Sequence, residues 1–584
     1  MSSPDLFQPA ESTDPNGVAA PEDPRGRSGT QTALDTENSA GAGGLSPLHA
    51  RFAGRGVKSL LVASSLLVAT ILIVHGIHKG EFNLNIDESY NAFSGLFFAD
   101  LLRRPPLAHP VQYAYSYYAH YPAIELFHWP PFFHLVEGVF FLVLGPSVLT
   151  ARLTVLVFAL LGLFFWFELV CELENKWTAA ASTVLLALLP QVLLFEKAVM
   201  LEIPCLALCV AATYFWMRYL REARNRFLYG FAIFASMALL TKQLSGYLAV
   251  FCLLSAMTTQ KWRLLLRWPI ARALGIVLLI AGPFYTLSLA IDRRSISGNV
   301  FKGADAVVHP HLFYVSALCH QLGWPLLALA PLGIVTCRWW TERSNAALML
   351  SWIVASCCIA SFLATRDVRY TIYLLPPLVY FAAAPLTSHA LSLRLRLLGT
   401  VAALALVVAY SVSAWRFERP YVSGYASAAE SISQIKGSQI ILYDGDLPAN
   451  FMFFLRLHDP AGRFIVLRKA LYATAVMKRF GVEELIRTPA QLNDLIKQYG
   501  IKYVVVEDPV RLEFDGQKVL RGLLNTPQFR LLQAFPVESN IPSLNGRRVL
   551  FYENTEAVSR SAQFLRIKML TLSHDIVIPL GEGR

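Results

Sequence analysis

The sequence contains few charged residues. Asp, Glu, Lys and Arg make up only 16% of its 584 residues, whereas ordinary soluble domains carry about 25%. Hydrophobic residues make up 55%. A soluble enzyme of this length would be less apolar, and fibrous, collagen-like and wholly disordered chains have other compositions. We therefore predict a polytopic membrane protein with polar appendages.

Cysteine is rare and is absent from the C-terminal part of the chain. There are eight cysteines, and the last of them is Cys358. The long tail after it therefore has no disulfide framework. Nearly all the cysteines lie in apolar runs, where a free cysteine behaves as a small hydrophobic residue. No pair has the spacing of a metal knuckle in a polar context.

Basic residues outnumber acidic ones, and the formal net charge is +11. In a membrane protein such an excess is typical of cytoplasmic loops that face an anionic leaflet. We therefore predict membrane lipid as a partner and no nucleic acid.

The N-terminal tail, residues 1–58, is rich in Ser, Gly, Pro, Ala and Asp and has no apolar periodicity. Such a segment cannot bury enough surface to offset its ordering entropy, so we predict that it is disordered. Arg51, Arg55 and Lys58 precede the first apolar run, 59–77. Positive charge in this place predicts a cytoplasmic tail followed by a signal-anchor helix.

The number of spans depends on one ambiguous run, 132–149, which is short and follows Pro130-Pro131. If it crosses the membrane, the basic connections that follow it face outside. If it lies flat in the interface, they face the cytoplasm, as the positive-inside rule favours. These connections contain Arg218, Arg221, Arg224, Arg226, Lys261, Arg263, Arg267, Arg272, Arg338, Arg343, Arg394 and Arg396.

We therefore predict about 11 spans, with the N-terminus in the cytoplasm and the C-terminus outside. We place the protein in the bacterial inner (plasma) membrane. The runs that follow 59–77 are 153–170, 178–195, 203–217, 227–241, 245–258, 273–291, 321–337, 345–364, 370–388 and 397–415.

The C-terminal region, residues 419–584, has the patterning of a globular domain. The runs 439–443 and 502–506 are typical of buried strands. Thr488-Pro489-Ala490-Gln491 between them resembles a helix capping box with Pro at the first helical position. We predict a small extracytoplasmic α/β domain, and it contains no nucleotide-binding loop.

Four polar clusters fall on the predicted outer face of the membrane. They are 85–90, 127–131 with Arg152 beyond it, 196–204 and 365–370. Charge at the end of a span usually marks only that end and stays solvated. Here carboxylates and basic groups gather on the same face as the extra domain, and this coincidence favours a functional site.

Short motifs in these clusters resemble a known superfamily. Asp87-Glu88, soon after the first span, resembles the first-loop acidic motif of the GT-C glycosyltransferases. The order of the other motifs is similar to glycosyltransferase family 39, which includes protein O-mannosyltransferases and the lipid A aminoarabinose transferase. These motifs are Trp129-Pro130-Pro131, Ala151-Arg152-Leu153, Met200-Leu201-Glu202-Ile203-Pro204, Leu239-Leu240-Thr241-Lys242, and Arg369-Tyr370 with Leu375-Pro376.

The resemblance covers roughly residues 59–415 and implies a transmembrane GT-C-like catalytic domain over 59–418. Two residues depart from the family pattern. His128-Trp129 stands where the family often has Glu-Lys, and Glu202 stands where it usually has Asp. These departures leave the cofactor open; a divalent metal is one alternative, with His128 and Glu202 as candidate ligands.

The resemblance also implies the chemistry. Members of the class transfer a hexosyl or pentosyl group from a polyprenyl-phosphate sugar to an extracytoplasmic lipid, glycan or protein. Asp87 is the candidate general base, with Glu88 orienting either Asp87 or the acceptor and Glu202 holding the acceptor or a metal. Cations should face the lipid phosphate that leaves. The candidates for that role are Arg369, Arg152, Lys242 and Arg366.

Two other classes of protein stay open. A multi-span transporter needs ionisable groups near mid-span, inverted repeats or interrupted helices. Glu168 is the clearest mid-span charge, and we find no convincing repeat. A non-catalytic scaffold with an outer binding domain gives no reason for carboxylates and cations to gather on one membrane face. The glycosyltransferase is the favoured interpretation.

Overall fold

The computed structural model describes residues 47–82, 87–106, 108–124, 129–291, 310–362, 367–388, 390–474, 481–556, 560–570, 572 and 574–580. Most of the predicted tail, 1–46, lies outside this set, and so do His128 and Arg366. The chain divides into two units, Met1–Gly54 and Arg55–Arg584. Apart from the start of the first helix, 47–54, the elements and contacts described next lie in the second unit.

Helices make up the first part of this unit. They are α1 (Pro47–Val74), α2 (Asp87–Arg103), α3 (Pro110–His120), α4 (Phe132–Leu144), α5 (Val148–Leu173), α6 (Lys176–Ala187), α7 (Pro190–Glu196), α8 (Glu202–Glu222), α9 (Asn225–Leu239), α10 (Tyr247–Thr258), α11 (Trp268–Ile291), α12 (Pro310–Leu322), α13 (Trp324–Thr336), α14 (Arg343–Phe362), α15 (Leu375–Thr387) and α16 (Leu393–Arg416). Short 3₁₀ helices cover Gln243–Gly246, Trp262–Leu266, Cys337–Trp339 and Val368–Leu374.

The first helix begins earlier than its apolar run. Residues 47–58, which the composition assigns to a disordered tail, belong to α1. Extending an existing helix by a residue costs far less than starting one, so a stable span can continue into a polar flank.

Seven helices of the described residues are long and apolar enough to cross a membrane, or nine if each of two bent helix pairs is one span. The sequence predicted about 11, and α9 and α10 account for the difference. These two are too short to qualify by length, but they run along α8, which does qualify. Cys205 near the start of α8 contacts the carbonyl of Ala238 on α9, whereas Lys261 Nζ, just beyond α10, donates to Leu220 O at the other end of α8.

The ambiguous run forms α4, a helix of only 13 residues. At 1.5 Å per residue it is about 20 Å long, too short for a hydrocarbon core of ~30 Å. This length agrees with the prediction that the run does not cross. Its inner face packs on α2 and buries Phe133, His134, Glu137 and Phe141.

The C-terminal region is an α/β domain, as predicted. Its helices are α17 (Tyr425–Ser433), α18 (Pro448–His458), α19 (Pro489–Tyr499) and α20 (Asp515–Leu524). Its strands are β1 (Val422–Ser423), β2 (Gln439–Asp444), β3 (Phe464–Leu467), β4 (Tyr472–Thr474), β5 (Val482–Glu484), β6 (Tyr503–Asp508), β7 (Phe529–Pro536), β8 (Glu538–Ser539), β9 (Arg548–Asn554), β10 (Phe564–Ile567) and β11 (Ile576–Pro579).

A five-stranded sheet with the order β3-β2-β6-β9-β7 forms the centre of this domain. Strand β2 is parallel to β3 and β6, and β9 is antiparallel to β6 and β7. The two predicted buried strands are β2 and β6. The predicted capping box at Thr488 and Gln491 is present at the start of α19.

The domain is anchored on the loop between α1 and α2. The Glu81 carboxylate accepts hydrogen bonds from the backbone N–H groups of Gly424, Tyr425 and Ala426 at the start of α17 and from Asn450 Nδ2. Burial raises the pKa of Glu81, and these hydrogen bonds oppose that shift. A carboxylate at a helix N-terminus also interacts favourably with the helix dipole. The loop that leads into α2 is thereby fixed to the domain.

Candidate active site

Asp87 is the first residue of α2, and one third of its side chain is exposed. Its Oδ2 accepts a hydrogen bond of 2.5 Å from Arg369 Nη1. The two residues lie far apart in the sequence, and the fold brings together the first and last polar clusters that the sequence indicated.

Arg369 is held in place by its neighbour Asp367. Asp367 Oδ1 accepts from the backbone N–H of Arg369 at 2.9 Å, and Oδ2 accepts from Arg369 Nε at 2.8 Å. The first bond caps the 3₁₀ helix Val368–Leu374. The second leaves the Nη end of the guanidinium directed at Asp87 and, 3.8 Å away, at Glu202 Oε1.

Glu202 and Lys242 form a buried ion pair beside Arg369. Lys242 Nζ donates to Glu202 Oε1 at 2.6 Å, and both side chains are almost fully buried. Glu202 Oε2 meets no hydrogen-bond donor within the described part of the chain. The Lys242 ammonium also faces the rings of Trp129 at 5.7 Å and Tyr370 at 6.0 Å.

These residues form an alternating chain of carboxylates and cations, which we call the cleft cluster. Its members are Asp87, Arg369, Asp367, Glu202 and Lys242. Of the carboxylates that face Arg369 Nη1, Asp87 is partly exposed to water and Glu202 is buried. The cluster therefore offers a solvent-accessible carboxylate next to one cation, Arg369, with a second cation, Lys242, beyond Glu202. This arrangement suits proton acceptance and the binding of an anion at one place.

A second cluster, which we call the clamp cluster, begins at the next residue of α2. The Glu88 carboxylate lies 3.5 Å from Arg152 Nε and accepts from Arg419 Nη2 at 3.3 Å to both oxygens. Glu88 and Arg152 have no exposed surface, and Arg419 has almost none. Arg419 Nη1 also donates to the carbonyl of Lys197.

The guanidinium of Arg152 is surrounded by backbone carbonyls. Nη1 donates to Ile77 O at 2.8 Å, to Lys79 O at 3.1 Å and to Gly80 O at 3.2 Å. Nη2 donates to Glu81 O at 2.8 Å. Arg152 thus fixes the same loop that Glu81 attaches to the C-terminal domain.

Of the residues that the sequence predicted for the site, the fold brings Asp87, Glu202, Lys242 and Arg369 together in one cluster. Glu88 and Arg152 lie apart from them in the clamp cluster. Their place indicates a role in positioning rather than contact with a substrate. Arg366 and His128 lie outside the described residues.

The structure shows two further residues of these clusters, Asp367 and Arg419, that the sequence did not predict for the site. Asp367 lies in the polar cluster 365–370, but its spacing from Arg369 gave no sign that it would accept two hydrogen bonds from that residue. Arg419 lies at the predicted domain boundary, and its contact with Glu88 spans 331 positions. No local signal could have indicated such a contact.

The described residues do not fit a resident metal. Within them, no group of three or more His, Cys, Asp or Glu side chains converges as a metal site. The nearest candidates are Asp87 and Glu202, and both face the guanidinium of Arg369. We therefore derive no step of the reaction through a metal.

Comparison with known proteins gives one family and several structures. The family model for dolichyl-phosphate-mannose-protein mannosyltransferase matches residues 128–286. The crystal structure of ArnT from Cupriavidus metallidurans bound to undecaprenyl phosphate is similar with a TM-score of 0.58 at 15% identity, covering 87% of this chain and 99% of that one. Its apo structure is similar with the same TM-score and identity, at 86% and 98% coverage.

A more distant similarity extends to an oligosaccharyltransferase. The Archaeoglobus fulgidus oligosaccharyltransferase, in complex with Zn and sulfate, has a TM-score of 0.50 at 12% identity, covering 76% of this chain and 68% of that one. The chain has the GT-C glycosyltransferase fold. A comparison with curated protein sequences gave no match.

The structural similarity confirms the predicted fold class. With seven to nine candidate spans, the chain is an integral membrane protein. The family model includes Arg152, Glu202 and Lys242 and excludes Asp87 and Arg369. The matched segment therefore contains only part of the cleft cluster, and the structure is what shows all five residues together.

Proposed function

We propose that the chain is a membrane glycosyltransferase that moves a sugar from a polyprenyl-phosphate donor to an extracytoplasmic acceptor. The observation that carries the proposal is the cleft cluster, in which the partly exposed Asp87 lies 2.5 Å from the phosphate-binding candidate Arg369. Similarity to a protein whose structure contains undecaprenyl phosphate, itself a polyprenyl phosphate, supports this donor class.

In the proposed reaction an acceptor hydroxyl or amine attacks the anomeric carbon of the donor sugar. Asp87 accepts the proton of the nucleophile as the new bond forms. The bond between the anomeric carbon and the phosphate oxygen breaks, and polyprenyl phosphate leaves with the bonding electrons. A single displacement from the opposite face inverts the anomeric centre.

Arg369 and Lys242 stabilise the charge that grows on the leaving phosphate. A guanidinium suits this role because its planar fork can bind two phosphate oxygens. In the structure Asp87 occupies one of its donors, Nη1. Donor phosphate would compete for that hydrogen bond, and its arrival would free the Asp87 carboxylate to act as a base.

Glu202 and the clamp cluster would support this chemistry without contacting the leaving group. Glu202 pairs with Lys242 and lies close to Arg369, so it fixes the spacing of the two cations. The clamp cluster fixes the start of α2 through Glu88, and this in turn fixes the position of the neighbouring Asp87. The acceptor is an extracytoplasmic lipid, glycan or protein.

Transfer assays with purified full-length protein test the proposal. Hexosyl and pentosyl polyprenyl phosphates, labelled in the sugar, would be supplied as donors, and release or transfer of the label would be measured. We expect at least one donor to be consumed. Arg224→Met, a control substitution at the far end of the bundle, should consume it as the wild type does. Failure to consume any donor in the panel would contradict the proposal.

We further propose that the N-terminus faces the cytoplasm and the C-terminal domain faces outside, in a bacterial inner membrane. The distribution of basic residues between the two ends of the helix bundle supports this orientation. Basic connections cluster at the end opposite the cleft, where Arg218 pairs with Glu172 and Arg221 donates to Asn345. Cytoplasmic ends carry such an excess.

Cysteine labelling tests this orientation. Asn225→Cys and Ser438→Cys place a thiol at exposed positions of the basic end and of the C-terminal domain. With a membrane-impermeant reagent on spheroplasts, position 438 should be labelled at once and position 225 only after permeabilisation. The native cysteines set the background, which the parent protein measures. The reverse pattern would contradict the orientation.

A further inference from the structure

The C-terminal domain contains a cavity that the proposed reaction does not use. It has a volume of about 330 Å³ and lies between the end of β3, one face of α19 and strand β10. Pro122, from the chain that follows α3, forms part of its wall. Binding sites for small ligands begin at about this size. We call it the domain cavity.

Among the described residues, three cations and one carboxylate line the domain cavity. They are Arg468, Lys469, Arg566 and Asp494. Lys469 Nζ lies 3.9 Å from Met569 Sδ and 5.4 Å from the centre of the Tyr118 ring, and neither of these groups carries a charge. The Arg566 side chain is 72% exposed, and its nearest carboxylate is 3.9 Å away on Asp575. The cavity therefore presents an excess of positive charge to a ligand.

The rest of the lining combines aliphatic, aromatic and amide groups. Leu485 and Leu495 supply apolar surface, and Gln498 supplies an amide. Such a mixture matches a saccharide, which has C–H faces as well as hydroxyl groups. The surplus cations match an anionic substituent on that saccharide, since charge-assisted hydrogen bonds to phosphate or carboxylate are the strong ones.

The position of the domain cavity links it to the cleft cluster. It lies at the carboxyl end of β3, which is parallel to β2, and ligands of parallel α/β sheets bind at this edge. Arg468, in its wall, donates through Nη1 to the hydroxyl of Tyr90. Tyr90 lies on α2 one helical turn after Asp87. A ligand in the cavity would therefore lie next to the helix that carries the proposed base.

We infer that the domain cavity binds an anionic saccharide, a sugar that carries a phosphate or carboxylate group. Its role as part of the acceptor rests on the proposed function. Binding itself does not, because it needs only the cavity and its cations. The inference narrows the acceptor from lipid, glycan or protein to a molecule with a negatively charged glycan portion.

Ligand-observed NMR on the full-length protein in detergent tests binding directly. Glucose 6-phosphate would be the probe, and glucose, inorganic phosphate and an acidic peptide would be the comparisons. We expect glucose 6-phosphate to bind more tightly than any of the three. The combined change of Lys469→Gln with Arg566→Gln should weaken it by about tenfold or more. Arg548→Gln, an exposed arginine outside the cavity, should leave it unchanged.

A second variant guards against loss of folding. Asp494→Asn removes the one carboxylate among the charged lining residues, so it should tighten glucose 6-phosphate binding by about twofold to fivefold. Equal binding in the wild type and the double variant would overturn the inference. Equal binding of glucose, of phosphate or of the acidic peptide would overturn it as well.

Donor turnover separates this inference from the proposed function. If the double variant loses sugar-phosphate binding but still releases sugar from a polyprenyl-phosphate donor, both proposals hold. If no donor is consumed but the sugar phosphate binds as expected, the glycosyltransferase proposal fails and the binding site stands. If donor is consumed and no sugar phosphate binds, only the binding site fails.

Discussion

The cleft cluster and the clamp cluster begin at adjacent residues of one helix, Asp87 and Glu88, and each contains an arginine. In the cleft cluster Arg369 is 18% exposed and Asp87 33% exposed, whereas Glu88 and Arg152 in the clamp cluster have no exposed surface. Arg152 donates to four backbone carbonyls, whereas Arg369 donates to two carboxylates.

We propose that this difference separates a phosphate-binding arginine, Arg369, from a structural one, Arg152. A phosphate can replace a partly exposed carboxylate at Arg369 without leaving any buried group unpaired. At Arg152 it would have to displace the four backbone carbonyls that the guanidinium binds, and an unpaired buried polar group costs about 1–3 kcal/mol. The same substitution at the two arginines should therefore give opposite patterns of lost stability and lost activity.

Arg152→Met should have the largest effect on stability. It removes one of the two cations that face the buried Glu88, the other being Arg419, and it removes the donors to the loop before α2. Breaking a buried ion pair by removing one partner typically costs about 3–5 kcal/mol. We expect a marked fall in Tm in detergent and in the yield of folded protein. A Tm close to that of the wild type would contradict the clamp role of Arg152.

Arg369→Met should act mainly on catalysis. Loss of a charge-assisted hydrogen bond of about 1.5–3 kcal/mol corresponds to a fall of roughly tenfold to a hundredfold in kcat/KM for the lipid-phosphate donor. The fall in Tm should be smaller than for Arg152→Met, because Glu202 keeps Lys242 as a partner. Unchanged kinetics across donor concentrations would remove Arg369 from the site.

Arg224→Met should have the smallest effect. Arg224 is 62% exposed at the basic end of the bundle and pairs with Glu222 at 3.3 Å. Exposed pairs contribute about 0–1 kcal/mol. We expect a Tm and a donor kcat/KM close to those of the wild type. A large loss of activity would mean that the two ends of the bundle are not functionally distinct.

Much of the fold could be predicted from the sequence, because apolar runs and charge placement are local signals. Up to nine of the predicted spans, the short helix α4, the strands β2 and β6 and the capping box at Thr488 follow from such patterns. The early start of α1 could not be predicted, since a polar flank gives no sign of the helix that continues into it.

Part of the candidate site could also be predicted. Asp87, Glu202, Lys242 and Arg369 stood in motifs whose order resembled a family, and the fold brings them together. Arg152 lies apart from this group because it binds backbone carbonyls of the loop 77–81. Every residue has a backbone carbonyl, so no residue type indicates such a contact. Arg419 depends on a contact between the C-terminal domain and α2, and such a contact exists only in the folded chain.

The central claim, that Asp87 is the base of the cleft cluster, is tested most directly by Asp87→Asn in two parallel assays. One measures binding of undecaprenyl phosphate, and the other measures single-turnover sugar transfer from a verified donor. The amide keeps the size of the side chain and no longer competes as an anion for Arg369. We therefore expect donor binding at least as tight as in the wild type, an unchanged Tm, and transfer slower by ~10²–10⁴-fold. In folded Glu88→Gln protein the transfer rate should fall by less than it does in Asp87→Asn. Near-normal transfer by Asp87→Asn, or a loss of transfer that follows from lost donor binding, would contradict the account.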